Sequence, residues 1–209
     1  MTGPATPIAG SRTGLLVLAS GSPTRAGLLR RAGVPFHQDP AAVDEGAAKA
    51  RLGSAGTDAG AAALELARLK AAAVSPRHPG RLVLGADQLL ECEGEWLDKP
   101  DTRARAKAQL LRLSGRRHRL ATAAILLKDG EPVWSHLEAP ELRLRRISPD
   151  LADAYLDAAG EDALGSVGAY QIEGPGAQLI EELSGDVFAV LGLPLLPLLG
   201  ALRREGVLP

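Results

Sequence analysis

Residues 15–33 read LLVLASGSPTRAGLLRRAG, and this stretch predicts a strand, a tight turn and a helix in succession. Residues 15–19 form a short apolar run that is typical of a buried strand. Ser22 is suited to cap a helix that begins at Pro23, and Gly33 is suited to end it. Free backbone N–H groups at such a helix start favour an anion. The stretch therefore predicts either a phosphate-binding turn or an ordinary strand–helix connection.

Arg25 is an unexpected residue in the first turn of the predicted helix. The helix dipole disfavours a cation at this position by roughly 0.3–1 kcal/mol. We therefore expect that Arg25 holds an anion and that its removal leaves the stability of the fold unchanged or slightly higher. The alternative is an arginine that lies on the surface of an ordinary turn.

Length and composition indicate a globular chain of one domain, or of a large domain with a small appendage. The 209 residues are 45% hydrophobic and 23% charged, which is ordinary for such a chain. A formal net charge of −1 gives no electrostatic reason to expect nucleic acid or an acidic membrane surface as partner. The most apolar region, residues 187–202, is interrupted by glycine and proline and is too short for a membrane span. We expect residues 1–13 to be a loose tail and residues 14–209 to be a single domain.

Cys92 is the only cysteine, so no disulfide can form within the chain. This favours a cytoplasmic location. Glu91 and Glu93 flank the thiol, and their charges are expected to raise its pKa. The sequence therefore argues against a cysteine nucleophile.

The rest of the chain predicts a mixed α/β sheet, because helices and strands alternate early and the later strands look antiparallel. Asp39, Asp44 and Glu45 are expected in a loop. A hairpin turn is predicted at Ser184–Asp186 through Gly185. Helices are predicted from a cap at Thr57 or Asp58 to about Val74, over 102–113, over 148–160 and from Pro194; strands are predicted over 81–86, 89–97 (a hairpin), 118–127 and 133–147.

No familiar catalytic fingerprint is present: the sequence lacks a P-loop, a nucleophile elbow, zinc-ligand spacing and a dinucleotide-binding glycine motif. What remains is a set of polar residues at the ends of elements. Two carboxylates with several cations suit a metal-assisted reaction on phosphates. Each residue taken alone also fits an ordinary surface charge, and His118 fits a structural hydrogen-bonder in a strand. The set comprises Ser20, Ser22, Arg25, Glu45, Lys70, Asp87 and Lys99.

For Asp87 and Lys70, the position in the predicted elements bears on the choice between a site residue and an ordinary surface charge. Asp87 follows the apolar run 81–86, and strand carboxyl ends are where open α/β sheets bind ligands. Lys70 borders the apolar stripe of a predicted helix, where a lysine usually extends to solvent.

A series of motifs resembles the Maf family of nucleoside triphosphate pyrophosphatases. They occur in family order from about residue 15 to residue 195. The resemblance implies an elongated mixed β-sheet flanked by helices, two lobes around a nucleotide-binding cleft, and often a homodimer. It also implies hydrolysis of a nucleoside triphosphate to a monophosphate and pyrophosphate. The motifs are LASGSPTRAGLL (18–29), ELARLKA (65–71), LGADQLL (84–90), Lys99–Pro100, LSGRRHRLAT (113–122), AYQIEGPGAQLIEELSGD (169–186) and VLGLPL (190–195).

The same resemblance implies roles for single residues. Asp87 matches the proton acceptor of the family, and Glu45 matches an acidic residue near a divalent metal, Mg²⁺ or Mn²⁺, which Asp87 also contacts. Residues expected to contact substrate are Ser20, Ser22, Thr24, Arg25, Lys70, Gln88, Lys99 and Glu173.

Gln88 and Glu173 match the pattern of members that act on 7-methyl-GTP rather than on dTTP and UTP. Thr24 stands where many members have a second arginine, Ser166 where lysine is frequent and Ala189 where asparagine is frequent. These departures bear on which nucleobase the protein binds, and they leave the expected catalytic residue, Asp87, in place.

Three hypotheses follow from the sequence. The first is a pyrophosphatase for a modified nucleotide such as 7-methyl-GTP, with a house-cleaning role. The second is a dTTP/UTP pyrophosphatase of the same family. The third is a nucleotide-binding regulator of septum formation with little turnover. Asp87, Lys70 and Lys99 favour an enzyme, because binding alone does not need a base at a strand end.

Overall fold

The computed structural model describes residues 8–12 and 15–209 of the chain. Within these residues the helices are α1 (Pro23–Arg31), α2 (Glu45–Ser54), α3 (Ala59–Val74), α4 (Arg103–Leu113), α5 (Pro149–Ala159), α6 (Val187–Val190) and α7 (Leu195–Arg204). The strands are β1 (Leu16–Leu18), β2 (His37–Gln38), β3 (Leu82–Cys92), β4 (Glu95–Leu97), β5 (Arg117–Lys128), β6 (Glu131–Glu138), β7 (Glu141–Leu144) and β8 (Ile180–Ser184). Short 3₁₀ segments cover Ser75–Arg77, Gly160–Gly165, Val167–Ala169 and Pro175–Leu179.

The strands described form one eight-stranded mixed sheet, which confirms the predicted fold class. The order is β2-β1-β3-β5-β7-β8, with β4 paired to β3 and β6 paired to β5. Strand β1 pairs in parallel with β2 and with β3. The pairs β3–β4, β5–β6, β5–β7 and β7–β8 are antiparallel.

The chain divides into two compact units. The first consists of the chain up to Gln88, Thr122–Glu138 and Val187–Pro209, and the second of Leu89–Ala121 and Ala139–Asp186.

In the first unit, helices α1 and α7 cover one face of the sheet. Alternate β3 residues Leu82, Leu84 and Ala86 share a buried cluster with α1 and α7 side chains such as Leu29 and Leu198. Because successive strand residues point to opposite faces, Val83, Gly85 and Asp87 face the other way. That second face meets helix α3.

The second unit has its own buried core and a surface network of ion pairs. Helix α4 contributes Leu110 and Leu113 to this core, and α5 contributes Leu156. On the solvent side, Arg117 Nη1 lies 2.7 Å from Glu141 and Arg117 Nη2 lies 2.6 Å from Glu182. These pairs link β5, β7 and β8.

Several predicted elements are confirmed. Helix α1 begins at Pro23, and the Ser22 hydroxyl accepts a hydrogen bond from the Arg25 N–H, as an N-cap does. Asp58 caps α3 in the same way. The hairpin turn at Glu93–Gly94 joins β3 to β4.

Four predictions were wrong. Glu45 does not lie in a loop: the Asp44 carboxylate accepts the Ala47 N–H and so begins helix α2, which the low apolar content of that region concealed. Strand β3 does not end before Asp87 but continues to Cys92, because it gains β4 as a partner after β1 has ended.

The predicted strand 133–147 is divided in two. Pro140 lacks an N–H, and β6 and β7 pair with β5 on either side of it. No hairpin forms at Gly185, since β8 is followed directly by helix α6 and pairs with the earlier strand β7.

The tail expected at residues 1–13 lies mostly outside the described residues. Within it, residues 8–12 are described, and the Arg12 N–H donates to the carbonyl of Val207 over 2.9 Å. No helix among the described residues is long and apolar enough to cross a membrane.

Candidate active site

Asp87, Lys70 and Glu45 form a charged cluster in the first unit. The Lys70 Nζ lies 2.5 Å from Asp87 Oδ1 and 2.9 Å from Glu45 Oε2. Lys70 is only 7% exposed and Asp87 only 4%. The structure thus brings together residues from three separate segments of the chain, and the alternative that Lys70 extends into solvent is wrong.

The close approach of α3 to β3 places Lys70 beside Asp87. Gly85 lies directly under Ala67 and Ala71, and an added Cβ would overlap the Ala67 carbonyl oxygen. Glycine is required here because no side chain fits between the helix and the strand. Lys70 lies on α3 between these two alanines, and Asp87 lies two residues after Gly85 on the same strand face.

Asp87 has one oxygen available for chemistry. Its Oδ1 accepts from Lys70, while its buried Oδ2 has no hydrogen-bond partner among the described residues. A buried carboxylate oxygen without a partner is costly. Asp87 also lies three residues beyond Leu84, the last β3 residue paired with β1. The oxygen is thus suited to meet a water molecule, a cation or a substrate where β1 gives way to a turn.

Ser20, Ser22 and Arg25 form the turn between β1 and α1. Ser20 Oγ accepts from the Ser22 N–H over 3.3 Å and from Arg25 Nη1 over 3.2 Å. Arg25 Nε donates to the Gly192 carbonyl over 2.8 Å. Arg25 is therefore not an unbonded surface residue. These hydrogen bonds offset the unfavourable interaction of its charge with the helix dipole.

The Arg25 guanidinium also interacts electrostatically with the two carboxylates of the cluster. Burial lowers the pKa of Arg25, while the charges of Asp87 and Glu45 act in the opposite direction. The group stays protonated at any ordinary pH. A permanent cation thus lies within electrostatic reach of both carboxylates.

Within the described part of the chain, one amide in the first turn of α1 donates to no other group and is left for a ligand. Pro23 has no N–H, Ser22 Oγ accepts from Arg25, and the Ala26 N–H donates to the Ser22 carbonyl. This leaves the N–H of Thr24 at a helix start, where anions are favoured. Thr24 is half-buried.

Gln88 points away from the Lys70–Asp87 cluster. The two N–H groups of its Nε2 are shared among three acceptors, Thr122 Oγ1 and the carbonyls of Ala189 and Val190, at 2.8, 2.9 and 3.1 Å. Two of these partners are carbonyls and can only accept, so they fix which end of the amide faces them. The nitrogen of Gln88 is thus engaged within the protein, and its oxygen, an acceptor, is the end of the amide that these contacts do not use.

Lys99 and Glu173 belong to the second unit and are both exposed. Lys99 follows strand β4, and Glu173 lies in the turn-rich segment between the 3₁₀ segments Val167–Ala169 and Pro175–Leu179. Their roles toward substrate remain predictions based on the surrounding motifs.

Three residues that support the site escaped sequence analysis. Gln38 Nε2 donates to the Ser20 carbonyl over 2.8 Å, Thr122 Oγ1 donates to the Ala189 carbonyl over 2.9 Å, and Gly192 holds Arg25. Gly192 has a φ of +95°, a conformation that strongly favours glycine. The available signals were the quoted motifs VLGLPL and LSGRRHRLAT, which contain Gly192 and Thr122, whereas Gln38 lies in none of them.

The cluster fits a hard divalent cation only in part. Glu45 and Asp87 supply carboxylate oxygens, which Mg²⁺ and Mn²⁺ prefer, and Asp87 Oδ2 is unpartnered. Among the residues described, however, no group of three or more His, Cys, Asp or Glu side chains is placed to hold a metal ion. Mg²⁺ typically uses one or two carboxylates together with substrate phosphates. The donor set therefore fits a cation that arrives with a phosphorylated substrate.

Cys92 and His118 have structural surroundings. Cys92 is buried, and burial followed by the Glu93 charge raises the pKa of its thiol. His118 Nε2 lies 2.6 Å from the Tyr170 hydroxyl, and its pKa is lowered to about 4 by burial. His118 thus has the hydrogen-bonding role in a strand that the sequence predicts.

The fold and site define an α/β protein in which two carboxylates, a lysine and an arginine lie close together, a set of groups that suits a phosphorylated ligand together with a cation. Sequence comparison is more specific: the model of the Maf-like protein family matches residues 15–205. The chain therefore belongs to the Maf-like protein family.

Curated relatives match along nearly their whole length. The chain is 50% identical over 192 residues to the nucleoside triphosphate pyrophosphatase of Paramagnetospirillum magneticum, which covers 92% of this chain and 99% of that protein. It is 47% identical over 193 residues to the protein of the same name from Granulibacter bethesdensis, covering 92% and 98%. It is 46% identical over 193 residues to the 7-methyl-GTP pyrophosphatase of Mesorhizobium japonicum, covering 92% and 97%.

Proposed function

We propose that this protein is a nucleoside triphosphate pyrophosphatase, which hydrolyses a nucleoside triphosphate to the monophosphate and pyrophosphate. The observation that carries the proposal is the buried Asp87, which Lys70 holds through one oxygen and whose other oxygen has no hydrogen-bond partner among the residues that the structure describes. Relatives that share about half of the residues are named for this activity.

In the proposed reaction a water molecule attacks the α-phosphorus. A bond forms between the water oxygen and phosphorus, and the bond from phosphorus to the bridging oxygen of the β-phosphate breaks. Asp87 orients the water and takes its proton, while pyrophosphate leaves with the electron pair of the broken bond. A nearby carboxylate is a suitable base because Asp87 Oδ2 lacks a partner of its own.

Cations and backbone amides bind the phosphates in this proposal. Arg25 and Lys70 supply positive charge, and Ser20 and the Thr24 N–H supply hydrogen bonds. Glu45 and Asp87 would hold Mg²⁺ or Mn²⁺, which would further stabilise the charge on the triphosphate. Lys99 is proposed as an additional phosphate-binding residue on the strength of its motif.

The nucleobase of the substrate is proposed to be 7-methylguanine. Methylation at N7 makes the ring cationic, and the Glu173 carboxylate suits a cationic ring that donates N–H bonds. Gln88 presents an oxygen because its nitrogen is engaged by Thr122, Ala189 and Val190. The name of the Mesorhizobium japonicum relative also favours this substrate. The runner-up is a dTTP/UTP pyrophosphatase.

A cytoplasmic homodimer completes the proposal. The single cysteine is buried, which suits a reducing compartment. The dimer rests on the resemblance to the family.

The test is pyrophosphate release by the full chain from 7-methyl-GTP, GTP, dTTP and UTP, each with Mg²⁺ or Mn²⁺, in water enriched in ¹⁸O. We expect turnover that is fastest with 7-methyl-GTP and ¹⁸O in the monophosphate only. Faster turnover of dTTP or UTP overturns the base assignment, and ¹⁸O in pyrophosphate overturns attack at the α-phosphorus. Nucleotide binding without turnover favours the regulator of septum formation.

A further inference from the structure

Lys70 occupies the space between the two carboxylates that the proposed function assigns to the metal. Its Nζ contacts both Asp87 Oδ1 and Glu45 Oε2, at 2.5 and 2.9 Å. A cation that bridged the same two side chains would have to take up a position against this ammonium group.

The formal charges of the cluster cancel without nucleotide. Asp87 and Glu45 contribute two negative charges, and Lys70 and Arg25, which interacts electrostatically with both, contribute two positive charges. A free divalent cation therefore meets no net attraction and strong repulsion from the adjacent ammonium. A bound triphosphate reverses this balance, because its charge attracts both lysine and metal.

The geometry distinguishes this arrangement from an ordinary buried ion pair. An ordinary pair satisfies its own groups, whereas here one lysine serves two carboxylates and Asp87 Oδ2 is left unpartnered. Lys70 is anchored on helix α3, while Glu45 comes from the exposed first turn of α2. A flexible four-carbon side chain lets the ammonium turn from the carboxylates toward phosphate without movement of the helix.

We propose that Lys70 is an internal counter-ion, which holds Asp87 and Glu45 together in the nucleotide-free protein and keeps free Mg²⁺ or Mn²⁺ out. A triphosphate attracts the ammonium and so admits the cation. Metal binding is therefore coupled to nucleotide binding, and by thermodynamic reciprocity each strengthens the other. This inference rests on the metal assignment made under the proposed function.

The test measures protein-bound Mn²⁺ directly, by the enhancement of water proton relaxation. Mn²⁺ alone is titrated into nucleotide-free wild type, Lys70→Met and Lys107→Met. Lys107 is a matched control because it pairs with Asp153 over 2.6 Å in the second unit, outside the cluster. We expect Lys70→Met to bind Mn²⁺ at least tenfold more tightly than wild type, and Lys107→Met to match wild type.

A second titration does not depend on any variant. A triphosphate analogue with a non-hydrolysable α,β-methylene bridge is added to wild type at saturation, and we expect the affinity for Mn²⁺ to rise at least tenfold. Equal Mn²⁺ affinity with and without the analogue overturns the proposal, as does a Lys70→Met protein that melts cooperatively and binds Mn²⁺ no better than wild type.

The outcome can be separated from that of the proposed function. Wild-type turnover together with unchanged Mn²⁺ binding in Lys70→Met rejects only the counter-ion role. Absence of turnover with every nucleotide rejects the pyrophosphatase, whatever the titrations give.

Discussion

The Arg25 side chain donates to the carbonyl of Gly192 over 2.8 Å, which ties the first turn of α1 to the segment just before α7. Arg25 also donates to Ser20 Oγ over 3.2 Å. One side chain thus connects the turn that follows β1 with a distant part of the same unit. Because of this contact we expect Arg25 to stabilise the fold, whereas the sequence alone predicts that its removal leaves the stability unchanged or slightly higher.

Arg25→Ala is expected to weaken both triphosphate binding and the fold. The substitution removes a cation from the site and leaves the Gly192 carbonyl without its donor, so the free energy of unfolding should fall by about 1–3 kcal/mol. Urea unfolding and the KM for the substrate measure the two effects. Arg31→Ala, in the exposed last turn of α1, is the control. If the two variants have the same unfolding midpoint, the Gly192 contact has no structural importance.

Gly85→Ala is expected to destabilise the protein strongly. Its Cβ would overlap the Ala67 carbonyl and press on Ala71, so α3 must move away from β3. Overpacking of this kind typically costs about 1–3 kcal/mol or more. Gly200→Ala in α7 is the control, because its Cβ would lie 3.7 Å from the nearest atom, the end of Arg204, and alanine favours a helix. Chemical denaturation of both variants checks the difference, and equal stability would contradict the close approach.

His118 is expected to make the stability of the protein depend on pH between about 4 and 6.5. Burial lowers the pKa of His118 to about 4 in the folded state, whereas the unfolded side chain titrates near about 6.5. The unfolded chain therefore binds the extra proton in this window, and stability falls as the pH falls, by at most about 1.4 kcal/mol per pH unit from this group. Above about pH 6.5 the contribution is fully present.

Denaturation midpoints of wild type, His118→Gln and His37→Gln at pH 4 to 7 test this dependence. His118→Gln should have a flatter profile than wild type, while the exposed His37→Gln should follow wild type. Parallel profiles for all three proteins would show that His118 is not the source of the pH dependence of stability.

Glu173→Gln is expected to narrow the preference for 7-methyl-GTP over dTTP by roughly 1–3 kcal/mol, the worth of a hydrogen bond to a charged group. The ratio of kcat/KM values for the two nucleotides is the measurement. Glu161→Gln, another exposed carboxylate of the second unit, is the control. An unchanged ratio in Glu173→Gln would mean that this carboxylate does not recognise the base.

The sequence was sufficient for elements whose signals are local. Ser22, Pro23 and the apolar run before them predict β1 and α1, since a cap and a buried strand depend on near neighbours. Helix α2 was missed because its start depends on the Asp44 cap, while only Ala48 among its residues is buried. A helix with so little buried surface has almost no apolar pattern to detect.

The sequence predicts a set of candidate site residues, but it does not predict how they are arranged in space. Lys70 looked like a solvent-directed lysine because nothing local indicates that Gly85 brings α3 against β3. Asp87 looked like the end of a strand because the pairing of β3 with β4 lies further along the chain. Contacts between distant segments, such as Gln38 with Ser20, leave no local pattern at all.

The central claim is that Asp87 acts as the base in triphosphate hydrolysis, and one comparison tests it most directly: kcat for pyrophosphate release by wild type and by Asp87→Asn, with saturating 7-methyl-GTP and Mg²⁺. Asp101→Asn is the control, since Asp101 forms an exposed pair with Arg105. We predict that Asp87→Asn keeps its fold and loses at least about two orders of magnitude in kcat, the usual scale for loss of a general base, while Asp101→Asn matches wild type. An Asp87→Asn protein that keeps more than about a tenth of the wild-type kcat would contradict the account, since general-base loss on that scale leaves far less.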